Sequence, residues 1–279
     1  MPPLGSPLVT PDPFAALIEL PEVFEAVDAA RGSVDALMRE VRTPALRRRV
    51  AEVTVESLRR GAWASACMQD PDVSATWDLA GFTAPFAERA GAVTARGALR
   101  VSTELSGLAD VWSRAPLQAL ARLHTLAAAD LVDESVLGRP RTGADVPARL
   151  AGLADLVTSP TPAPAVVVSA VVLGELLALE PFDGGNGLVA RAAARLVLLS
   201  RGLDPLALSI PEQGLLELGA DRTARHLSGY LTGTPQGVGQ WIVHWAQAVA
   251  LGGRAGRAVA ADVAQRVAPQ LAADVAAGC

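Results

Sequence analysis

Apolar residues recur every three or four positions along most of this chain, and the pattern is interrupted by short clusters of proline, glycine and aspartate. That spacing puts one side of a helix against a core. It predicts short helices over 21–30 and 33–41 and one long helix over 43–68, opened by Thr43-Pro44 as cap and first-turn proline. Gln69-Asp70-Pro71-Asp72 breaks that helix; further helical stretches are expected to Trp77, over 82–90 and over 92–105. Leu117, Leu120, Leu123 and Leu126 mark a helix over 116–131, and another covers 146–157. The segment 137–144 is loop-like and has room for a small β-hairpin, although its alternation is weak. After the proline link 159–164 comes an almost uninterrupted apolar run to Leu179. A glycine turn, a helix over 187–199 and helices over 211–218, 222–231 and 238–251 follow. Val259, Val263 and Val267 define a last amphipathic helix over 254–268, with Pro269 as its stop.

The fold class read from this pattern is all-α. Half of the residues are hydrophobic but only 4% are aromatic, so the core is built from Ala, Leu and Val, which favours helices. The apolar run before Leu179 contains Glu175 and is short for a membrane span, so it reads as a helix buried on all sides. The first dozen residues form a proline-rich extended arm without the pattern of a signal peptide. These features point to a cytoplasmic protein that does not engage a membrane.

The net charge is −5, with no basic stripe of the kind that grips nucleic acid. Every basic residue is an arginine, so a phosphate would have to be met by Arg or by backbone. Cys67 and Cys279 form neither a disulfide framework nor a zinc pattern, and Cys67 reads as a small core residue. His124, His226 and His244 are scattered and read as capping or partly buried residues. The string Gly184-Gly185-Asn186-Gly187 follows a helix, not a strand, so it does not suit a dinucleotide fold.

That string admits two readings. Glu180-Pro181 stops one helix, the glycines permit left-handed backbone, and Asn186 caps the next helix. The turn is then a tight connector. Alternatively, the first amides of the second helix point into the turn without intrahelical partners, and Arg191 lies one turn further on. An anion placed there gains donors, helix dipole and a charged fork.

The segment Glu180-Pro181-Phe182-Asp183-Gly184-Gly185-Asn186-Gly187-Leu188-Val189-Ala190-Arg191 resembles the motif of Fic (Fido-fold) proteins, His-Pro-Phe-x-(Asp or Glu)-Gly-Asn-Gly-Arg-x-x-Arg. Leu123-His124 with the Gly138–Arg141 loop upstream, and Tyr230 with the Trp241–Trp245 helix downstream, are also similar to that family. The resemblance implies a helical bundle over 91–252, on which 13–90 packs as a helical N-terminal portion and 253–279 as a C-terminal helix. It implies a target-binding flap near 139–146. It also implies transfer of AMP from ATP, with Mg²⁺, to a hydroxyl of a target protein.

The departures fall on the chemistry. Glu180 stands where the resemblance implies the histidine base, and a carboxylate is a weaker base at neutral pH. Gly184 stands at the acidic metal ligand, leaving Asp183 beside it as the substitute. Leu188 stands at the first arginine. Gly185, Asn186, Gly187 and Arg191 keep the phosphate-binding part. Ser65 and Gln69 resemble the family's inhibitory helix, with Gln69 in place of a glutamate that pairs with Arg191. Three functions follow as expectations: a Fic-like module that binds a nucleotide or a protein partner without AMP transfer; an atypical protein adenylyltransferase using Glu180; or a structural helical interaction protein. The oligomeric state is not readable.

Overall fold

A computed structural model of the chain describes residues 12–84, 86–143 and 145–277. The expected arm lies outside them but for Asp12, as does Cys279. Among the described residues there are helices and no strands, as expected from the pattern. In order the helices are α1 (Ala15–Ile18), α2 (Val23–Val41), α3 (Val50–Gln69), α4 (Pro71–Thr76), α5 (Ala92–Arg114) and α6 (Pro116–Ala128). A 3₁₀ turn at Glu134–Val136 leads to α7 (Val146–Thr158), α8 (Ala165–Leu179), α9 (Asn186–Ser200), α10 (Pro211–Leu218), α11 (Ala220–Tyr230) and α12 (Pro235–Ala277).

The helices α8 and α9 form a central hairpin. In α9 every residue from Leu188 to Leu199 is buried, and α8 is buried over most of its length. Fully burying each such Val or Leu contributes about 1.5–3 kcal/mol, so this hairpin dominates the core. It is enclosed by α3, α5, α6 and α12. Trp241 and Trp245 tie α12 to α8, donating through Nε1 to the Ala170 carbonyl and to Ser169 Oγ, each at 2.7 Å. A smaller cluster around Leu37, Val53, Leu208 and Val259 seals α2 against α12.

Several boundaries differ from the expected ones. The two short N-terminal helices are one, because Gly32 lies in open space and does not interrupt α2. Thr43 does not open a helix; its hydroxyl donates to the Glu40 carbonyl at 2.8 Å and ends α2. The described residues of 82–90 form a loop. Phe82 and Phe86 pack together at 4.9 Å with Trp77 edge-on to Phe86, and Ala84-Pro85 disfavours helix. The two C-terminal helices are a single one: Gly252 and Gly253 lie inside α12, and the helix runs past Pro269 to Ala277. The glycines serve close approach there. A side chain at Gly252 would meet the Ile210 backbone, and one at Gly253 would meet Ser33.

Candidate functional site

The turn between α8 and α9 begins on a left-handed Glu180, φ 43°, whose N–H closes α8 on the Leu176 carbonyl at 3.1 Å. A non-glycine residue there costs about 1–2 kcal/mol, so the surroundings must hold it. Gly184 and Gly185 follow at φ 81° and 66°. Asn186 is not the cap expected from the sequence. Gly185 occupies the cap, and Asn186 is the first helical residue. Its side chain is consumed by Phe182, accepting from the Phe182 N–H at 2.9 Å and donating to the Phe182 carbonyl at 2.8 Å.

Two outside groups fix this loop. The ring of His124, fully buried on α6, stacks on Phe182 at 4.4 Å. Its Nδ1 accepts the Gly138 N–H at 2.9 Å, so Nε2 carries the proton and donates to the Asp183 carbonyl at 3.3 Å. Arg141 donates its N–H to the Pro181 carbonyl at 2.8 Å and its Nη2 to the Leu179 carbonyl at 3.0 Å. The hairpin considered for 137–144 is therefore a single segment laid along the turn, with no strand among its described residues. Pro140, which lacks an N–H, interrupts any ladder there.

Burial pushes the His124 imidazole below its ordinary value, against the opposing pull of the Asp183 and Gly184 backbone. His226 and His244 are shifted the same way, again chiefly by burial, His244 to about 4. A base depressed in the folded state leaves stability intact above its unfolded value and removes it as the pH falls. The urea midpoint is thus expected to be level above about pH 7 and to drop between about pH 6.5 and 4. A midpoint that stays level across that window contradicts this reading of the histidines.

Arg191 is buried and points at α3. Its Nε donates to Ser65 Oγ and its Nη2 to the Ser65 carbonyl, both at 2.8 Å. Here the structure corrects two expectations. The partner of Arg191 is Ser65, not the Gln69 side chain, and the guanidinium is not presented freely to the turn. Gln69, one helical turn beyond Ser65, lies at Gly187 instead. A side chain at Gly187 would collide with Gln69 Oε1 and would stand 3.0 Å from Arg191 Nη1. Ser65, Gln69, Gly187 and Arg191 thus meet at one place, the amino end of α9. Burial pushes the Arg191 guanidinium down to about 10, partly offset by the charge of Glu212, and it remains a cation at neutral pH.

One turn along α9, Arg195 is also buried. It pairs with Glu212 at 3.3 Å and donates to the Ala207 and Ser209 carbonyls at 2.9 and 2.7 Å. Asp204 accepts from the Leu208 and Ser209 amides and the Ser209 hydroxyl. Its burial raises its pKa, opposed by Arg195 and these bonds. Sequence reading missed Arg195, Asp204 and Glu212. The available signal was Arg191-x-x-x-Arg195 on one face of an otherwise apolar helix, because buried cations require a carboxylate.

Glu180 and Asp183 are both exposed, on the solvent side of the turn. Gly184 cannot easily carry the metal ligand that the resemblance assigns to it. Its backbone is left-handed, and an added Cβ would press on Val132 Cγ1 at 3.3 Å. Leu188 is buried and lines a small internal cavity with Ser65 and Glu212. No group of three or more His, Cys, Asp or Glu able to hold a metal occurs among the described residues. No helix there is long and apolar enough to cross a membrane.

No protein-family model matches the sequence, and no curated protein matches it. Solved structures do. A Fic family protein from Desulfovibrio desulfuricans G20 aligns with a TM-score of 0.62 at 22% identity, over 94% of this chain and 77% of that one. Fic-1 from C. elegans aligns with a TM-score of 0.60 at 14% identity, over 88% of this chain and 73% of that one. At such identities the likeness is one of fold: the chain has the Fic fold.

Proposed function

We propose that this protein is a Fic-fold binding or regulatory module that keeps a phosphate-recognition turn and lacks ordinary AMP transfer. The observation that carries this reading is the meeting of Arg191, Gly187, Ser65 and Gln69 at the amino end of α9. The helix end favours an anion through its amides and dipole. Arg191 adds a fixed cation with donors beyond the two held by Ser65. Gln69 stands in the way, so a nucleotide phosphate gains the site by displacing a flexible side chain. The machinery for transfer is reduced at the same turn. Glu180 stands in place of the histidine base, Gly184 carries no acidic ligand and its left-handed backbone strains any side chain placed there, and Mg²⁺ brought by ATP would be left to Asp183. Loss of such groups costs orders of magnitude in rate.

Calorimetric titration with ATP, with and without Mg²⁺, tests this. Gln69→Ala is expected to bind about tenfold more tightly than the unmodified chain, since it removes the obstructing amide. Arg191→Lys, which keeps charge but loses the fork, is expected to bind about tenfold more weakly. Equal affinity in all three proteins overturns the site. Transfer of labelled AMP to protein hydroxyls, lost in Glu180→Ala, would establish an atypical adenylyltransferase instead. Absence of any nucleotide binding would leave a helical scaffold for protein partners.

A further inference from the structure

Glu25, Gly32 and Arg39 recur at heptad spacing along α2, so they share one face of that helix. All three are exposed, as are Asp28, Glu22 at the helix cap and Arg42 at its close. The charges on this face are divided by position. The carboxylates Glu22, Glu25 and Asp28 precede Gly32, and the arginines Arg39 and Arg42 follow it. Between the two ends, Arg31 and Asp35 pair with each other at 3.6 Å and cancel.

Several other surface arginines are paired within the chain: Arg59 and Arg60 with Glu56, Arg96 and Arg100 with Asp130, and Arg257 with Glu40. Among the described residues, the side chains of Glu22, Glu25, Asp28, Arg39 and Arg42 have no such partner. Gly32 stands at the middle of α2, with nothing within 4 Å of an added Cβ. The centre of the face is therefore bare, and a second backbone has room to approach it.

Glu25 and Arg39 stand equally far from Gly32 along the helix, and so do Glu22 and Arg42. A two-fold axis at Gly32, at right angles to α2, therefore sets acid against base on both sides. We propose that α2 pairs with α2 of a second copy of this chain, antiparallel and crossing at Gly32. Glu25 then faces the partner's Arg39 and Glu22 faces the partner's Arg42. Each contact is made twice, as an isologous interface requires. Phe24, 64% exposed beside Glu25, brings its ring to the partner's Arg42. A parallel pairing sets like charges opposite and is disfavoured. A nucleic acid or an acidic peptide would satisfy the arginines alone and be repelled by the carboxylates. A second copy uses both ends of the face.

The test is sedimentation equilibrium of the full chain over about 1–200 μM, a range suited to the weak association of a small interface. A monomer–dimer equilibrium is expected, and it is expected to weaken as added salt screens the charges. Arg39→Glu with Arg42→Glu is expected to weaken it at least about tenfold, and so is Glu22→Arg with Glu25→Arg. Mixed in equal amounts, these two variants are expected to associate with each other, because the reversed charges again meet their opposites. That recovery also shows that both variants are folded. Gly32→Leu, whose added side chain has open space within the chain, is expected to stay monomeric. A parent chain that is monomeric throughout overturns the proposal. A dimer kept by the charge-reversed variants or by Gly32→Leu overturns it by placing the contact elsewhere, and so does a mixture that fails to associate.

Discussion

Glu212→Ala is expected to lower the unfolding free energy by about 3–5 kcal/mol, read as a large fall in the urea midpoint. Glu212 is the carboxylate beside Arg195 at 3.3 Å, and its charge also steadies Arg191. Both arginines are buried. Removing the carboxylate takes the paired anion from Arg195, leaving only the pull of buried Asp204, and takes from Arg191 the charge that steadies it; a buried charge that loses its partner is far more costly than the absent pair. Against a typical total of about 5–15 kcal/mol, the change is enough to leave the fold marginal. The double replacement Arg195→Met with Glu212→Leu is expected to recover only part of the loss: it removes the unpaired cation of Arg195, but Arg191 still lacks Glu212 and the Ala207 and Ser209 carbonyls lose their donor. A single replacement within about 1 kcal/mol of the parent would show that the carboxylate does not neutralise the pair.

The second large effect concerns Gly97 on α5. A methyl group there would fall on the Ala127 backbone of α6, on the carbonyl oxygen itself, with the carbonyl carbon at 3.1 Å. No flexible side chain can give way, so the helices must part. Gly97→Ala is expected to destabilise by about 2–3 kcal/mol despite the better helix propensity of alanine. Gly107 on the same helix has nothing within 4 Å of an added Cβ, and Gly107→Ala is expected to stabilise by up to about 1 kcal/mol. Opposite signs in the two urea midpoints check the argument. Gly97→Ala also reaches the site, since Ala127 packs under Gly185 and His124 is on the same helix. Its His124 ring resonances should move, whereas those of Gly107→Ala should not.

How much of this was legible in the sequence depends on what each element uses as its signal. The helix α10 matches its expected span because Pro211 and Gly219 punctuate it locally. The apolar run of α8 announces a helix buried on all sides, and that is what forms. In sequence a Gly-Gly pair signals a helix break, whereas within α12 Gly252 and Gly253 let the Ile210 loop and α2 approach. Close approach is a property of two segments and leaves no trace in one. At the site, Ser65 and Gln69 both lie against the amino half of α9, Ser65 on Arg191 and Gln69 near Gly187. Which of them holds Arg191 follows from side-chain geometry, which spacing does not encode. His124 is legible only as part of a family pattern, and the bonds that make it a brace for Asp183 come from a loop fourteen residues away.

Leu188 sits in the core, Gly184 stands left-handed against Val132, and Glu180 holds a left-handed end to α8. Together these set the cost of placing charged or catalytic side chains at the three positions. An arginine at 188 would enter the interior, an aspartate at 184 would have to bend the loop, and a histidine at 180 would inherit a strained backbone. No single substitution supplies the groups of the resembled motif without cost, since each incoming side chain would meet packing or backbone built around a different residue.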